Sequence, residues 1–338
     1  MSKALTNEQF YAGLQHLPKP QYPFPDFIHP DFQQLRKENY TWIDEEYTFH
    51  STSAREKHKS HQFTDIAARG CPFLKNTAEL RPLANFTANG AMMDDYWDRC
   101  TRNEMYTISQ QITALLTGDD TLEPVQNGIF HQFWILRKQA IDCEMPPRLY
   151  KRFIATIHQL LVGYAEEREY YRANVPPPLP IYLIIRLDTS GGLPFCEYTA
   201  MQKNYRDLPD AILAHPFILR MHHLISLMIG MHNDFISLPK ELHREGDTMN
   251  IVKVLQHENK LPLNDAYMMA LDLHNSYLNE FLLIKKKLPP FGEWQDTVNE
   301  YVNDLGIMLA GVYAWHTNDK TRYVNGGYVE GEYVSRDT

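Results

Sequence analysis

The chain has 338 residues, 43% hydrophobic and 22% charged, with a formal net charge of −9 at pH 7. Such a composition builds a sizeable core, and its acidity argues against nucleic acid or an anionic membrane surface as a partner. Four scattered cysteines (Cys71, Cys100, Cys143, Cys196) without C-x-x-C spacing read as reduced thiols. No apolar run approaches the ~20 residues of a membrane span, and the start of the chain has no apolar core of a secretory signal. A cytoplasmic protein without a membrane span is expected.

In chain order, the first 30 or so residues carry Pro18, Pro20, Pro23, Pro25 and Pro30 and cannot form one continuous helix. A Pro-rich N-terminal strap is assigned to residues 1–40, a helical domain to 41–325 and a C-terminal tail to 326–338. Asp94-Asp95-Tyr96-Trp97-Asp98 comes first among the acidic clusters; on a helix Asp94 and Asp98, at i and i+4, share a face. Carboxylates this dense repel one another unless solvated or neutralised by a cation, and hard oxygen ligands suit Mg²⁺. A second acidic run, Asp119-Asp120-Thr121-Leu122-Glu123, follows Gly118 and precedes Pro124, which puts it in a loop or helix cap.

Further on, Leu149, Phe153, Ile157, Leu160, Leu161 and Tyr164 form one helix face, opened by Pro146-Pro147 and separated from the next helix by Pro176, Pro177, Pro178 and Pro180. Phe217, Ile218, Met221, Leu224, Ile225, Met228 and Ile229 make a longer stripe. It runs into Asn233, Ser237 and Glu241, an amide, a hydroxyl and a carboxylate at i, i+4 and i+8. These three oxygen donors stand in line on one face, with Lys240 beside them for an anionic ligand. Lys285-Lys286-Lys287 close another helix before Pro289-Pro290. The clearest stripe is the last, from Trp294 through Val298, Tyr301, Val302, Leu305, Met308 and Leu309 to Val312. No linker divides the helical part, so a single all-α domain is expected.

The two acidic motifs together resemble those of the class I terpene synthases, specifically the bacterial-type terpene cyclases. Asp94-Asp95-x-x-Asp98 is similar to their aspartate-rich motif, and Asn233-Asp234-x-x-Ser237-x-x-Lys240-Glu241 to their second metal motif in full. Arg186, 47 positions before Asn233, stands where that family places an arginine that senses the diphosphate. Leu187-Asp188-Thr189-Ser190-Gly191-Gly192 resembles the family's helix break, with Thr189 as linker and Ser190 as effector through its backbone carbonyl. Trp315 and Arg322-Tyr323 look like the closing Trp and Arg-Tyr motif. The chain departs from the family at Asn89-Gly90-Ala91-Met92-Met93, where bulky aromatics are common; small residues there would enlarge the pocket or mark a kink, and the length of the substrate stays open.

The resemblance implies the single-domain α-helical bundle of the class I terpenoid synthase type. It also implies an Mg²⁺-dependent cyclase that ionises farnesyl or geranylgeranyl diphosphate to a sesquiterpene or diterpene. Its metal set is Asp94 and Asp98 with Asn233, Ser237 and Glu241, holding three Mg²⁺ ions with the bound diphosphate. Within that set Asp94 ligates on one side, while Asp98, like Asp95, is expected to pair with the bases as the site closes. Arg186, Lys240, Arg322 and Tyr323 would donate to the diphosphate, and Phe86, Phe195 and Trp315 would line the pocket, where aromatic faces steady a cation. Homodimers are frequent among such proteins. Two rival readings are an isoprenyl diphosphate chain-elongating synthase, which would carry a second D-D-x-x-D, and a catalytically silent helical binding protein.

Overall fold

A computed structural model describes residues 16–47, 49, 51–97, 100–124, 128–242, 246–318 and 322–323, the side chains of 94–96 excepted. Among the described residues there is no β-strand. Residues 16–31 run without helix, as their prolines dictate. Three helices follow, α1 (Phe32–Glu46), α2 (Thr52–Ser60) and α3 (Thr64–Gly70). Next come α4 (Thr77–Trp97), α5 (Arg102–Thr117), α6 (Ile129–Asp142), α7 (Pro147–Ala173), α8 (Leu179–Thr189) and α9 (Gly192–Thr199). The chain continues through α10 (Asp210–Leu213), α11 (Pro216–Glu241), α12 (Ile251–Asn259), α13 (Leu263–Lys286) and α14 (Gln295–Asn318).

Local chemistry sets the helix ends. Thr101 and Glu104 form a capping box on α5, each satisfying an amide that the first turn leaves open. Gly118 stops that helix, and Asp119 and Asp120 accept from the Thr117 hydroxyl (2.7 Å) and the Leu122 amide (3.1 Å). The second acidic run is therefore a turn, as its flanking Gly and Pro indicate. Pro147 opens α7. Pro180 does not belong to the break before α8 but to its first turn, where a missing N–H costs nothing.

The long stripes face inward. Leu149, Phe153, Ile157, Leu160 and Leu161 of α7 are buried, as are Ile218 to Ile229 of the α11 stripe and Val298 to Val312 of the α14 stripe. Phe217 is an exception: it is 41% exposed in the first turn of α11, although its neighbour Ile218 is fully buried. Helix α11 packs against α8, α9, α13 and α14, while α7 packs against α5, α8 and α9. These contacts put α11 at the centre of the bundle, its C-terminal half opening into a cavity.

Strap residues close the opposite side. The Tyr22 hydroxyl lies 2.9 Å from His232 Nδ1 on α11 and 2.7 Å from His274 Nε2 on α13. Asp26 pairs with Arg69 at 2.5 Å, and the His29 amide donates to the Ala68 carbonyl at 2.9 Å. No helix among the described residues is long and apolar enough to cross a membrane.

Candidate active site

One cavity of about 250 Å³ opens between α4, α7, α8, α9, α11 and α14. Asn233, Ser237 and Glu241, one turn apart on α11, all reach it, and so does Lys240. Asn250, fully buried at the start of α12, holds this column from behind. Its Nδ2 donates to the Asp234 carbonyl and to Glu241 Oε2, both at 2.8 Å, while its Oδ1 caps α12 through the Val252 amide. Lys253 adds a donor to the Glu241 carbonyl at 2.6 Å and another to that of Asp247. Helix α11 is thus pinned where its charged end meets the cavity.

Arg186 approaches from α8. Its Nη2 lies 2.5 Å from Asp234 Oδ1, 3.1 Å from Asn233 Oδ1 and 3.2 Å from the Gly230 carbonyl. Asp234 is 1% exposed and also accepts from the Tyr182 hydroxyl and the Ile251 amide. Burial pushes its carboxyl up to about 6, against the opposing pull of Arg186. Burial is the strongest single effect against the Arg186 charge, and Asp234, Tyr182, Glu167 and Tyr171 together outweigh it. Breaking such a buried pair on one side leaves an uncompensated charge, so Arg186 is held firmly at the cavity wall.

Helix α8 ends one turn further on. Thr189 donates its hydroxyl to Glu167 of α7, a buried carboxylate that lines the cavity. Ser190 shares a hydrogen bond with Ser226 of α11 at 2.7 Å, and Ser226 reaches the Leu187 carbonyl at 2.7 Å. Gly191, at φ 75°, makes the left-handed step that lets α9 start again at Gly192. The break is therefore tied directly to α11, two turns before Asn233.

Aromatic side chains cover the rest. Phe86 of α4 and Phe195 of α9 line the cavity, and Trp315 of α14 joins them while donating Nε1–H to the His61 carbonyl at 3.3 Å. Arg322 stacks over the Phe63 ring at 4.9 Å, and the Tyr323 hydroxyl lies 3.2 Å from Asn233 Nδ2. Residues 94 and 95 belong to α4, but the Asp94 side chain and the whole of Asp98 lie outside the described residues. Arg186, Thr189, Ser190, Asn233, Ser237, Lys240, Glu241, Arg322, Tyr323, Phe86, Phe195 and Trp315 all line this one cavity.

A family model described as terpene synthase family 2, C-terminal metal binding, matches residues 85–280. The chain belongs to that family. Relatives of this terpene synthase include sesquiterpene synthase 9 of Postia placenta, 24% identical over 87% of this chain and 84% of that protein. The (+)-eremophilene synthase of Sorangium cellulosum is 22% identical over 87% of this chain and 89% of its own length. Its fold matches that of germacradien-4-ol synthase from Streptomyces citricolor at a TM-score of 0.71, with 17% identity over 89% of this chain and 98% of that one.

Three residues that line the terpene synthase's cavity, Phe63, Glu167 and His316, and the buried Asn250 behind its α11 column carried no motif in the sequence. His316 had a usable signal, because it extends the inward stripe of α14 one turn beyond Val312. Glu167 likewise continues the α7 face that ends at Tyr164. Phe63 stands at the corner between α2 and α3, next to Gln62 at φ 52°, and nothing local marks it as part of a pocket.

Proposed function

We propose that this terpene synthase ionises farnesyl diphosphate and cyclises the resulting allylic cation to a sesquiterpene, using Mg²⁺. One observation carries the reading. The oxygen column of α11 and the bases Arg186, Lys240 and Arg322 end in a single cavity whose remaining wall is largely aromatic and aliphatic. A volume of about 250 Å³ is at the small end of ligand pockets, which supports a C15 rather than a C20 chain. Relatives named sesquiterpene synthase and (+)-eremophilene synthase support the same choice. Gly90 and Ala91 line the wall, and a Cβ added at Gly90 would meet nothing within 4 Å. Those small residues give the chain room to fold back on itself.

Among the described residues no cluster of three or more His, Cys, Asp or Glu could hold a metal. The α11 column fits a hard cation in a different way, through an amide oxygen, a hydroxyl and one carboxylate, with Asp94 and Asp98 completing the set. Bound Mg²⁺, three ions with the diphosphate, would act as a Lewis acid toward the leaving oxygens. The chain's own residues do the rest. Arg186, Lys240 and Arg322 donate to the diphosphate as it leaves, and Tyr323 adds its hydroxyl. Phe63, Phe86 and Trp315 offer π faces that steady a cation by about 0.5–2 kcal/mol each without trapping it. Thr189 and Ser190 tie the Arg186 helix to α7 and α11, so that a change at Arg186 is felt at the break.

The test is gas chromatography–mass spectrometry of products from C10, C15 and C20 diphosphates with Mg²⁺. A cyclic C15 product is expected, abolished by EDTA and reduced at least about a hundredfold in Glu241→Ala, since one lost electrostatic contact at a reacting group costs that much. A cyclic product only from the C20 substrate would overturn the chain length. Longer prenyl diphosphates, formed when isopentenyl diphosphate is added, would replace the cyclase with an elongating synthase. Absence of any turnover would leave a binding protein.

A further inference from the structure

Asn233 ends in an amide, of which only the oxygen can ligate a hard cation, the nitrogen being a donor. Which end points which way is decided by its neighbours. On one side stands Arg186, a group with donors only, with Nη2 3.1 Å from Asn233 Oδ1. On the other side His316 Nε2 lies 3.1 Å from Asn233 Nδ2. The far nitrogen of that imidazole defines the near one. His316 Nδ1 is 3.1 Å from the Val312 carbonyl, one turn earlier on α14, and a carbonyl only accepts, so Nδ1 carries the proton. In the neutral ring Nε2 is then a bare acceptor, and the amide nitrogen of Asn233 must turn toward it. Tyr323, 3.2 Å from the same nitrogen, does not make this choice, because a hydroxyl accepts and donates alike.

The ring itself has little freedom. His316 is 7% exposed and packs against Trp315, His232 and Tyr323, with ring centres 5.0, 4.9 and 5.7 Å away. We infer that His316 is a positioning residue of the metal site: through its Val312-fixed tautomer it draws the Asn233 amide nitrogen to its own side and leaves Oδ1, the end that can ligate, on the side of Arg186 at the cavity. A histidine serving only the core would be satisfied by other buried groups, whereas this one spends Nε2 on a side chain of the cavity wall. The inference rests on reading Asn233 as a metal ligand, and its test separates the two.

The experiment is calorimetric titration of the full chain with Mg²⁺ in the presence of inorganic pyrophosphate, with thermal unfolding without added metal as the control for folding. His316→Met, which keeps bulk but loses the acceptor, is expected to weaken Mg²⁺ binding about tenfold to a hundredfold, the usual effect of removing a group that orients a ligand. His316→Gln, whose side-chain oxygen accepts, recovers most of that loss. If the Met variant does not fold, His316→Phe takes its place. Unchanged binding in the variant without an acceptor, or equal weakening in the Gln variant, overturns the positioning role. Glu241→Ala tests the underlying reading: binding lost there but kept in His316→Met rejects His316 alone, whereas binding kept in Glu241→Ala rejects the α11 column itself.

Discussion

Gly230 shows how one missing side chain supports the site. A Cβ added there would stand 2.8 Å from Arg186 Cγ and 3.0 Å from its Nε. These atoms belong to the stem and the fork, so the whole arginine would have to move off α11. It would then lose the Asp234 pair and the contacts to Asn233 and the Gly230 carbonyl together. Gly230→Ala is expected to reduce kcat/KM by about tenfold to a hundredfold, since a displacement near 1 Å of a positioned group has effects of that size. Pyrophosphate release assays check it; a rate within twofold of the wild type sinks the account. Arg186 itself was legible in the sequence through its distance from Asn233, but its partner was not. Asp234 sits inside the motif without facing the cavity, and only the fold reveals that it anchors Arg186 instead of joining the oxygen column.

At the scale of elements, what was legible followed from periodicity. Stripes of period 3.6 identify a helix and its buried face from local information alone, and α7, α11 and α14 carry theirs for about four to five turns. The ends were less secure, because Phe217 has the spacing of a core residue but is exposed beside the buried Ile218. The path of the strap was not legible at all, since an irregular segment is placed by what it meets far away in sequence. Tyr22 is the clearest case. His274 Nδ1 lies 3.2 Å from Asn275 Oδ1 and so carries the proton, leaving Nε2 to accept from the Tyr22 hydroxyl. The Tyr22 oxygen in turn accepts from His232 Nδ1. One hydroxyl therefore bonds one nitrogen of each of two buried imidazoles on different helices. Tyr22→Phe removes both bonds and leaves the two nitrogens buried without it, at a cost of about 1–3 kcal/mol. A fall of several degrees in Tm is expected, with the product pattern unchanged. Calorimetric melting that showed no shift would mean that the strap contributes through packing alone.

For the whole molecule these imidazoles make stability depend on pH. Burial lowers His58 to about 3 and His274 to about 4, takes His232 well below its usual 6.5 and lowers His223 as well. All four are neutral when folded and take up protons below pH 6.5 only on unfolding. Their contribution is complete above that pH and is lost as the pH falls. Three carboxyls act in the opposite sense. Burial raises Asp188 and Asp234 to about 6 and raises Asp304, so that they bind protons first in the folded state and favour it as the pH drops toward 4. The strongly shifted imidazoles His58, His232 and His274 outnumber Asp188 and Asp234, the carboxyls raised to about 6, so stability is expected to fall between pH 6 and 4, by ~1.4 kcal/mol per pH unit for each net proton taken up on unfolding. Below about 4.5 the paired carboxylates Glu38, Glu166 and Glu280, each lowered by its arginine, add to the loss. Urea unfolding at pH 7, 6 and 5 measures the slope directly. His274→Gln should flatten it by close to one proton's share while lowering stability at pH 7, because the Tyr22 bond is disturbed. Equal stability at pH 7 and pH 5, unchanged by His274→Gln, would reject the contribution of the buried imidazoles to the slope.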